Sequence, residues 1–396
     1  MLGNGVMEIR SIFKENLVKL YTRLIRLLYG IDPHKVLFIS FNGKSYSDNP
    51  KAISEKLHEE APELNIVWAF TDPDKKKGIV PDYVRRICSH RSLMYYKELS
   101  TCAVAINNFP FPLIDKGEDQ MFIQTFHGDR APKKVMYDSP FKKRNYKLAE
   151  TIPGFCNLGI VGSEYGEKLF RSGFRYTGEI LKAGTPRCDM LVNPDYEYAD
   201  RVRNTLGIAD DTKVLMYAPT YRRQNVGNNT PQEIQKIDLE RTIEALENKY
   251  DCKWVCLIRT HPGARQRLNG YSCNEGILDV TQYEDMADLL LISDMLVTDY
   301  SSSAGDYAIL RRPLVLFQSD IDEYIEKDRS FYFDMNESPF LIAKTQQELE
   351  ELISTFDDGM IKKNCKDILS FFHTNETGCS SQLVVERIID FIEHGK

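Results

Sequence analysis

Short apolar runs alternate with helical segments along almost the whole chain, and this alternation restricts the fold more than any other feature of the sequence. In the first half, the runs predicted as strands are 36–41, 66–70, 102–106, 121–126 and 159–163. Strands with so few polar residues are buried on both faces, which requires a parallel sheet with helices packed on each side. The sequence therefore predicts an α/β, doubly wound fold.

The same pattern restarts after Pro194, with predicted strands at 213–218, 254–258, 295–297 and 313–317. A chain of 396 residues is too long for one ordinary hydrophobic core. We therefore expect two Rossmann-like domains that face a cleft, at 31–190 and 191–396, with the last helix able to pack back on the first domain. Open sheets of this kind bind ligands at the carboxyl ends of their strands, so functional residues should directly follow strands.

Residues 1–30 form a separate segment ahead of the first strand, and a helix is predicted from about Glu8 to Tyr29. Most of its leucines share one stripe, which arginines and lysines flank. Two interpretations fit this pattern. The segment is either an amphipathic helix that lies on anionic lipid at the inner face of the membrane, or a helix packed on its own domain or on a partner subunit.

The overall composition argues against several classes of protein. A net charge of −7 disfavours a nucleic-acid binder, whose surface would be basic. The nine cysteines are scattered and odd in number, with no CxxC spacing, which favours free thiols in the cytoplasm over disulfides or zinc. The sequence has no cleavable signal and no apolar run long enough to span a bilayer. We expect a cytoplasmic protein that reaches the membrane only by peripheral attachment.

A cluster of hydroxyl, carboxyl and small side chains follows the predicted strand 295–297 and opens a predicted helix. Backbone N–H groups at a helix start are free and the helix dipole is positive there, so small residues at this point favour phosphate binding. The candidate substrate-binding residues are Thr298, Asp299, Ser301, Ser302, Ser303 and Asp306. An ordinary capped helix after a buried strand is the alternative.

Two histidines directly follow predicted strands. His127 precedes Gly128, which allows a ligand to approach closely, and Arg130 and Lys133 lie just beyond. Positive charge there would hold phosphates and lower the pKa of His127, so that its ring stays a neutral base. The alternative for His127 is a strand-end histidine bonded to backbone. His261 also ends a strand, and a loop histidine with structural hydrogen bonds is equally consistent with its position.

Other candidate residues are distributed along the same predicted edges. Thr220 and Arg222 follow a strand and offer hydroxyl and guanidinium groups to a phosphate or a base edge, although a solvated charge cluster is the simple alternative. Arg187 lies beside the expected cleft, where a structural pair with Asp189 is favoured over ligand contact. Arg329 is a lone arginine near the end of the second half.

Several common catalytic motifs are missing from the sequence. It contains no Walker A loop, no GxSxG elbow and no HExxH motif. Asp-x-Asp, a frequent metal–diphosphate device, occurs twice without supporting context. The residues present therefore favour a mechanism that needs no metal or cofactor and relies on histidines, arginines and a helix dipole.

These segments, in this order, resemble the CDP-glycerol glycerophosphotransferase family, whose members build teichoic acids and related capsule polymers of bacteria. The matching segments are 127–128, 184–189, 218–222, 260–262, 293–302 and 322–334. One such piece would be a weak signal, but six in register are specific.

The resemblance implies a two-Rossmann fold of the GT-B type and transfer of glycerol phosphate from CDP-glycerol to a lipid-linked saccharide or growing polymer. CMP would be released at the inner face of the membrane. His127 would then be the base that deprotonates the acceptor hydroxyl, and His261 would stabilise the transferring phosphoryl group or the leaving CMP. Ser301 and Ser302 would hold the diphosphate, and Arg329 would add charge.

Two departures from the family pattern bear on which donor and acceptor are used. The family usually has Thr-Pro-Leu-Lys after the His-Gly pair, whereas Asp129 follows Gly128 here, and the usual Arg-Gly is Arg329-Ser330. A CDP-ribitol-dependent transferase and a GT-B sugar transferase are therefore alternative enzymes. A catalytically silent scaffold in a polymer-export complex is the alternative outside enzymes.

Overall fold

A computed structural model describes residues 2–84, 86–140, 151–220, 237–260, 276–327 and 330–395. Within these residues the chain forms two parallel sheets, and helices cover both. The strands are β1 (Asp32–Ile39), β2 (Asn65–Phe70), β3 (Arg86–Ser89), β4 (Cys102–Asn107), β5 (Met121–Gln124), β6 (Leu158–Ile160), β7 (Glu179–Leu181), β8 (Lys213–Ala218), β9 (Trp254–Ile258), β10 (Ile277–Asp279), β11 (Met295–Thr298), β12 (Leu314–Phe317) and β13 (Ile342–Ala343).

The helices alternate with these strands. They are α1 (Leu2–Tyr29), α2 (Asp48–Glu60), α3 (Leu93–Thr101), α4 (Thr151–Phe155), α5 (Glu164–Gly173), α6 (Asp189–Val192), α7 (Tyr196–Thr205), α8 (Leu239–Tyr250), α9 (Met286–Ile292), α10 (Ser303–Tyr307), α11 (Ile321–Lys327), α12 (Gln346–Thr355), α13 (Asp358–Phe371) and α14 (Ser380–His394).

The first sheet has the strand order β3-β2-β1-β4-β5-β6-β7. Strand β1 is apolar and buried from Val36 to Ile39 and pairs in parallel on both sides, with Val36 opposite Ile66 of β2 and opposite Val104 of β4. Because the chain runs outward from β1 to β3 and then returns to β4, the strand order reverses between β1 and β4. Ligand sites of open parallel sheets lie outside the carboxyl ends of the strands at such a reversal.

The second sheet repeats this arrangement with the order β10-β9-β8-β11-β12-β13, and its reversal lies between β8 and β11. The ladders between the named strands of both sheets are parallel. The predicted α/β, doubly wound fold is thus confirmed. Sequence analysis missed the short outer strands β3, β7, β10 and β13, because strands of two to four residues carry too few positions for a hydrophobic period to be recognised.

The last helix belongs to the core of the first sheet rather than to the second. Val384, Val385 and Ile388 of α14 are fully buried in the cluster that contains Val36 and Phe38 of β1. The chain therefore crosses back after the second sheet has been completed, and α14 packs beside α2.

Helix α1 packs on the first half through its polar side chains. Thr22 is fully buried and accepts a hydrogen bond from the backbone N–H of Asp115 (3.1 Å), while the guanidinium of Arg26 pairs with the Asp115 carboxylate (2.6 Å). Tyr21 donates to the carbonyl of Leu93 at the start of α3 (3.3 Å). In the described part of the chain, no helix combines the length and apolar character needed to cross a bilayer.

Candidate functional site

His127 lies at the carboxyl edge of the first sheet, just beyond β5. The preceding residue, Phe126, has a positive φ of 50°, and this turn directs the chain away from the strand. Nδ1 of the imidazole lies 3.0 Å from the backbone carbonyl oxygen of Asn108, which follows β4. The ring stacks on Phe109, with centroids 4.7 Å apart and planes at 9°, and the ring of Phe41 lies 5.3 Å away.

The surroundings of His127 favour a neutral imidazole. Burial lowers its pKa from the ordinary value, while the carboxylate of Asp48 acts in the opposite direction, and Arg187 and Lys133 lower the pKa further. The sequence-based explanation attributed this shift to Arg130, Lys133 and Lys134. Burial is the largest cause, and the positive charges that contribute most are those of Arg187 and Lys133. A neutral ring can accept a proton at pH 7, which a general base must do.

Gly128 is required by close packing in the same turn. A Cβ at this position would lie 3.1 and 3.2 Å from the Phe126 ring, which is itself held by the turn. A small pocket opens beside the turn. It is lined by Asn49, Thr125, His127, Gly128, Asp129, Ile160, Gly162, Gly184, Thr185, Pro186 and Arg187.

The serine cluster of the second sheet faces this turn. Ser302, at the start of α10, has its Oγ 3.4 Å from the backbone oxygen of His127. Ser301 and Ser302 are half-buried, whereas Ser303 is buried and donates to the hydroxyl of Ser301 at 2.9 Å. The histidine turn and the hydroxyl cluster are therefore in direct contact, although they are about 175 residues apart in the chain.

Asp299 and Thr220 close the reversal of the second sheet. The carboxylate of Asp299 accepts the backbone N–H of Thr220 at 2.9 and 3.0 Å and also bonds its hydroxyl. Thr298 is fully buried, and its hydroxyl donates to the carbonyl of Ala218 at 2.7 Å. Substrate contact by Thr298 stays a prediction, and its hydroxyl is buried and bonded to the neighbouring strand.

Two of the candidate arginines form a buried ion-pair network. Arg130 is fully buried, with its guanidinium 2.6 Å from both Asp306 and Glu376. Arg187 contacts the other oxygen of Asp306 at 2.9 Å and reaches Asp48 at 3.1 Å. Arg130, Arg187 and Asp306 thus pair their charges with one another across the two halves, and their contact with substrate stays a prediction.

The electrostatics of this network agree with its geometry. Burial alone would raise the pKa of Asp306, but the guanidinium groups of Arg187 and Arg130 outweigh burial and the pKa is lowered. Gly305 lets α10 approach the network, since a Cβ there would lie 2.6 Å from the Cβ of Arg130. The network therefore fixes the position of α10 against the His127 turn.

The predicted pair between Arg187 and Asp189 does not form. The Asp189 carboxylate accepts the backbone N–H groups of Ser380 and Ser381, at 2.8 and 2.7 Å, and so satisfies the free donors at the start of α14. Arg187 is drawn instead to the carboxylates of the buried network.

The remaining predicted site residues have different outcomes. Lys133 is half-buried in a segment whose backbone pairs with residues 330–332, in the second half of the chain. His261, Arg222 and Arg329 lie outside the described residues. Over the ranges that the structure describes, no group of three His, Cys, Asp or Glu side chains is arranged to hold a metal ion.

Sequence analysis missed the residues that surround the imidazole of His127. Asn108 and Phe109 follow β4 directly, and Phe41 follows β1. All three lie at the strand-order reversal, where the topology concentrates functional residues. Their position after strands could be recognised from the sequence, but asparagine and phenylalanine are not residue types that indicate a catalytic role.

Comparison with known proteins agrees with this site and fold. The family model described as CDP-glycerol:poly(glycerophosphate) glycerophosphotransferase matches residues 20–390. The chain belongs to this family. A solved structure of the wall teichoic acid polymerase TagF, a variant soaked with CDPG, is similar over 98% of this chain and 99% of that one, with 30% identity and a TM-score of 0.83.

Two relatives show how the chain relates to longer and shorter members. A teichoic acid poly(glycerol phosphate) polymerase of Staphylococcus epidermidis is 34% identical over 359 residues, which are 83% of this chain but 48% of that protein. A protein of the same description from Bacillus spizizenii is 28% identical over 409 residues, covering 98% of this chain and all of the relative. This chain thus spans about half the length of the first relative.

Proposed function

We propose that the protein transfers glycerol phosphate from CDP-glycerol to a hydroxyl group of a lipid-linked saccharide or a growing polymer. One observation carries this proposal: a histidine whose pKa is lowered lies next to a cluster of serine hydroxyls from the second sheet, with Ser302 Oγ 3.4 Å from the backbone oxygen of His127. The family relationship supports a CDP-activated donor.

In the proposed reaction the acceptor hydroxyl attacks the phosphorus of the glycerol phosphate. A new acceptor O–P bond forms, the P–O bond to CMP breaks, and the acceptor proton passes to His127. Positioning and charge neutralisation supply most of the catalysis in such a displacement. Ser301 and Ser302 are proposed to hold the diphosphate, and the predicted roles of His261, Arg222 and Arg329 stay part of the proposal.

The donor is tested by the release of CMP. The full chain is incubated with bacterial membranes as acceptor and with either CDP-glycerol or CDP-ribitol. We expect CMP from CDP-glycerol, at a rate that depends on the added membranes. Release from CDP-ribitol alone would replace the proposed donor with the ribitol alternative, and no release from either would reject the transferase proposal.

We also propose that α1 attaches the protein to the inner face of the membrane. Leucines on one side of the helix remain solvent-exposed although its polar residues are packed. Exposed fractions are 50% for Leu17, 54% for Leu20, 49% for Leu24 and 73% for Leu27. Arg23 lies beside them, also exposed, and can contact anionic headgroups.

Membrane attachment is tested by sedimentation with vesicles that contain phosphatidylglycerol. The triple change Leu20→Ser, Leu24→Ser and Leu27→Ser should reduce the bound fraction several-fold, because it removes apolar area while leaving Thr22 and Arg26 in place. Ile325→Ser is the control, since Ile325 is 44% exposed on α11 in the other half. Unchanged binding of the triple variant would reject attachment through α1.

A further inference from the structure

We propose that Asn108 is a positioning residue, whose side chain holds its own backbone carbonyl against His127 and thereby sets the tautomer of the ring. This inference rests on the proposed role of His127 as the base, but it concerns a residue outside the family motifs described above. It is carried by the hydrogen bonds at the reversal between β1 and β4.

The first step is the tautomer. A carbonyl oxygen can only accept, so the 3.0 Å contact between His127 Nδ1 and the Asn108 oxygen places the ring hydrogen on Nδ1. In a neutral imidazole the other nitrogen, Nε2, then carries the lone pair. The carbonyl thus determines which ring atom can take the acceptor proton.

The second step is how that carbonyl is held. Asn108 is fully buried, and its amide bonds to the end of β1 with both of its ends. Oδ1 accepts the backbone N–H of Phe41 at 2.8 Å, and Nδ2 donates to Ser40 Oγ at 3.2 Å. Because this amide bridges two adjacent strands, the Asn108 backbone cannot rotate without breaking both bonds.

The third step concerns backbone strain in the turn that Asn108 holds. Phe41 and Asn42 have φ values of 45° and 57°, a region that residues with a Cβ seldom adopt. Such a conformation persists only where surrounding contacts enforce it. The bond from Phe41 N–H to Asn108 is one of these contacts, and it keeps the Phe41 ring 5.3 Å from the imidazole.

The charged groups that face His127 come from three elements: Asp48 at the start of α2, Arg187 in the loop after β7, and Lys133 in the loop after β5. None of them would be removed by a change at Asn108. A looser turn would admit water to the ring, and water stabilises the protonated form of an imidazole. Loosening the hydrogen bond to the Asn108 carbonyl acts the other way, because that bond raises the pKa of His127, but burial is the largest influence on this pKa. The net result expected from loss of Asn108 is therefore a rise of the pKa toward the ordinary value.

The experiment compares Asn108→Ala with Gln120→Ala in the full chain. Gln120 is a suitable control because it is also a fully buried amide beside the same sheet, where its side chain makes three hydrogen bonds against the two of Asn108. It donates to the carbonyls of Leu99 and Cys102 and accepts the N–H of Gly117, all at the opposite, amino edge. Both variants lose comparable packing and hydrogen bonds.

For Asn108→Ala we expect kcat to fall by about 100-fold and the KM for CDP-glycerol to stay within about twofold of wild type. We also expect the acid limb of the pH profile, which is the fall of kcat/KM as the pH is lowered, to occur at a higher pH than in the wild type. Asn108→Asp should move the acid limb in the same direction, because a carboxylate stabilises the protonated ring. Gln120→Ala should lower thermal stability without moving the limb. If Asn108→Ala had the same kcat as Gln120→Ala, or an acid limb at the same pH, the proposal would be overturned.

A second readout is independent of catalysis. The ¹⁵N shifts of selectively labelled histidine report the tautomer, and His127→Asn assigns the His127 signals. We expect hydrogen on Nδ1 in the wild type and a mixture in Asn108→Ala. Hydrogen on Nε2 in the wild type would overturn the positioning role even if CMP is released, whereas the expected tautomers without CMP release would reject only the proposed function.

Discussion

The two strand-order reversals of this molecule are closed by the same device with different side chains. In the first sheet an amide oxygen of Asn108, after β4, accepts the backbone N–H of Phe41, after β1. In the second sheet the carboxylate of Asp299, after β11, accepts the backbone N–H of Thr220, after β8. One reversal presents an imidazole, and the other presents serine hydroxyls.

The side chain that closes each reversal suits the group beside it, which is an imidazole in the first sheet and a set of serine hydroxyls in the second. An amide is neutral and can donate as well as accept, so it bridges two strands beside His127 without adding a negative charge that would favour the protonated ring. The carboxylate of Asp299 only accepts, and its oxygens are taken by Thr220 and Tyr300.

Backbone strain separates the two edges as well. Phe41, Asn42 and Phe126 have positive φ at the first edge, whereas the non-glycine residues with positive φ in the described part of the second sheet region, Asp251, Arg311 and His373, follow helices. At these two edges, the strained residues therefore lie in the turns that hold the His127 ring in its orientation.

The largest effect is expected from removing the imidazole. His127→Ala should lower kcat/KM for CMP release by about 10²- to 10⁴-fold, because a positioned base contributes this much to proton transfer. His34→Ala is the control, since His34 is exposed at the amino end of β1. If His127→Ala retained activity within tenfold of wild type, the first edge would not be the catalytic one.

The next effect tests whether the two edges are held together by the buried network. Asp306→Asn removes the charge shared by Arg130 and Arg187, and it should lower the free energy of unfolding by about 3 kcal/mol. Thermal and urea unfolding measure this change. Asp367→Asn, which breaks an exposed pair with Lys363, should cost under about 0.5 kcal/mol. Equal costs would mean that the network does not stabilise the cleft.

A smaller effect is expected at the second edge. Ser302→Ala should raise the KM for CDP-glycerol by about tenfold with little change in kcat, because a hydrogen bond to a charged group is lost from bound donor. Ser338→Ala is the control, because that hydroxyl bonds only to the Met335 carbonyl within its own turn. A loss confined to kcat would assign Ser302 to the transition state instead of to donor binding.

The smallest expected effect is a shift in the pH at which kcat/KM of the wild-type enzyme falls on the acid side. The base is active when neutral, and burial lowers the pKa of His127, so kcat/KM should stay level to a pH below the ordinary histidine value of about 6.5. Circular dichroism at each pH separates this limb from acid unfolding. A limb above that value would mean that the ring is more hydrated than its packing against Phe109 indicates.

Much of this architecture was predictable because it depends on local pattern. The buried runs of β1, β4, β8 and β11 identify themselves by composition, and a histidine or serine after such a run is easily noticed. The roles of Arg130 and Asp306 were not predictable in the same way. They are 176 residues apart, and nothing local distinguishes an arginine that binds a phosphate from one that pairs with a distant carboxylate.

The return of α14 to the first sheet has a consequence for how the protein is made. Val36 and Phe38 leave the ribosome well before Val384 and Ile388, which supply part of their apolar covering. The first sheet therefore stays incompletely covered while the second half is synthesised, with an apolar surface that chaperones can bind. A protease that cut between α13 and α14 would uncover that surface again.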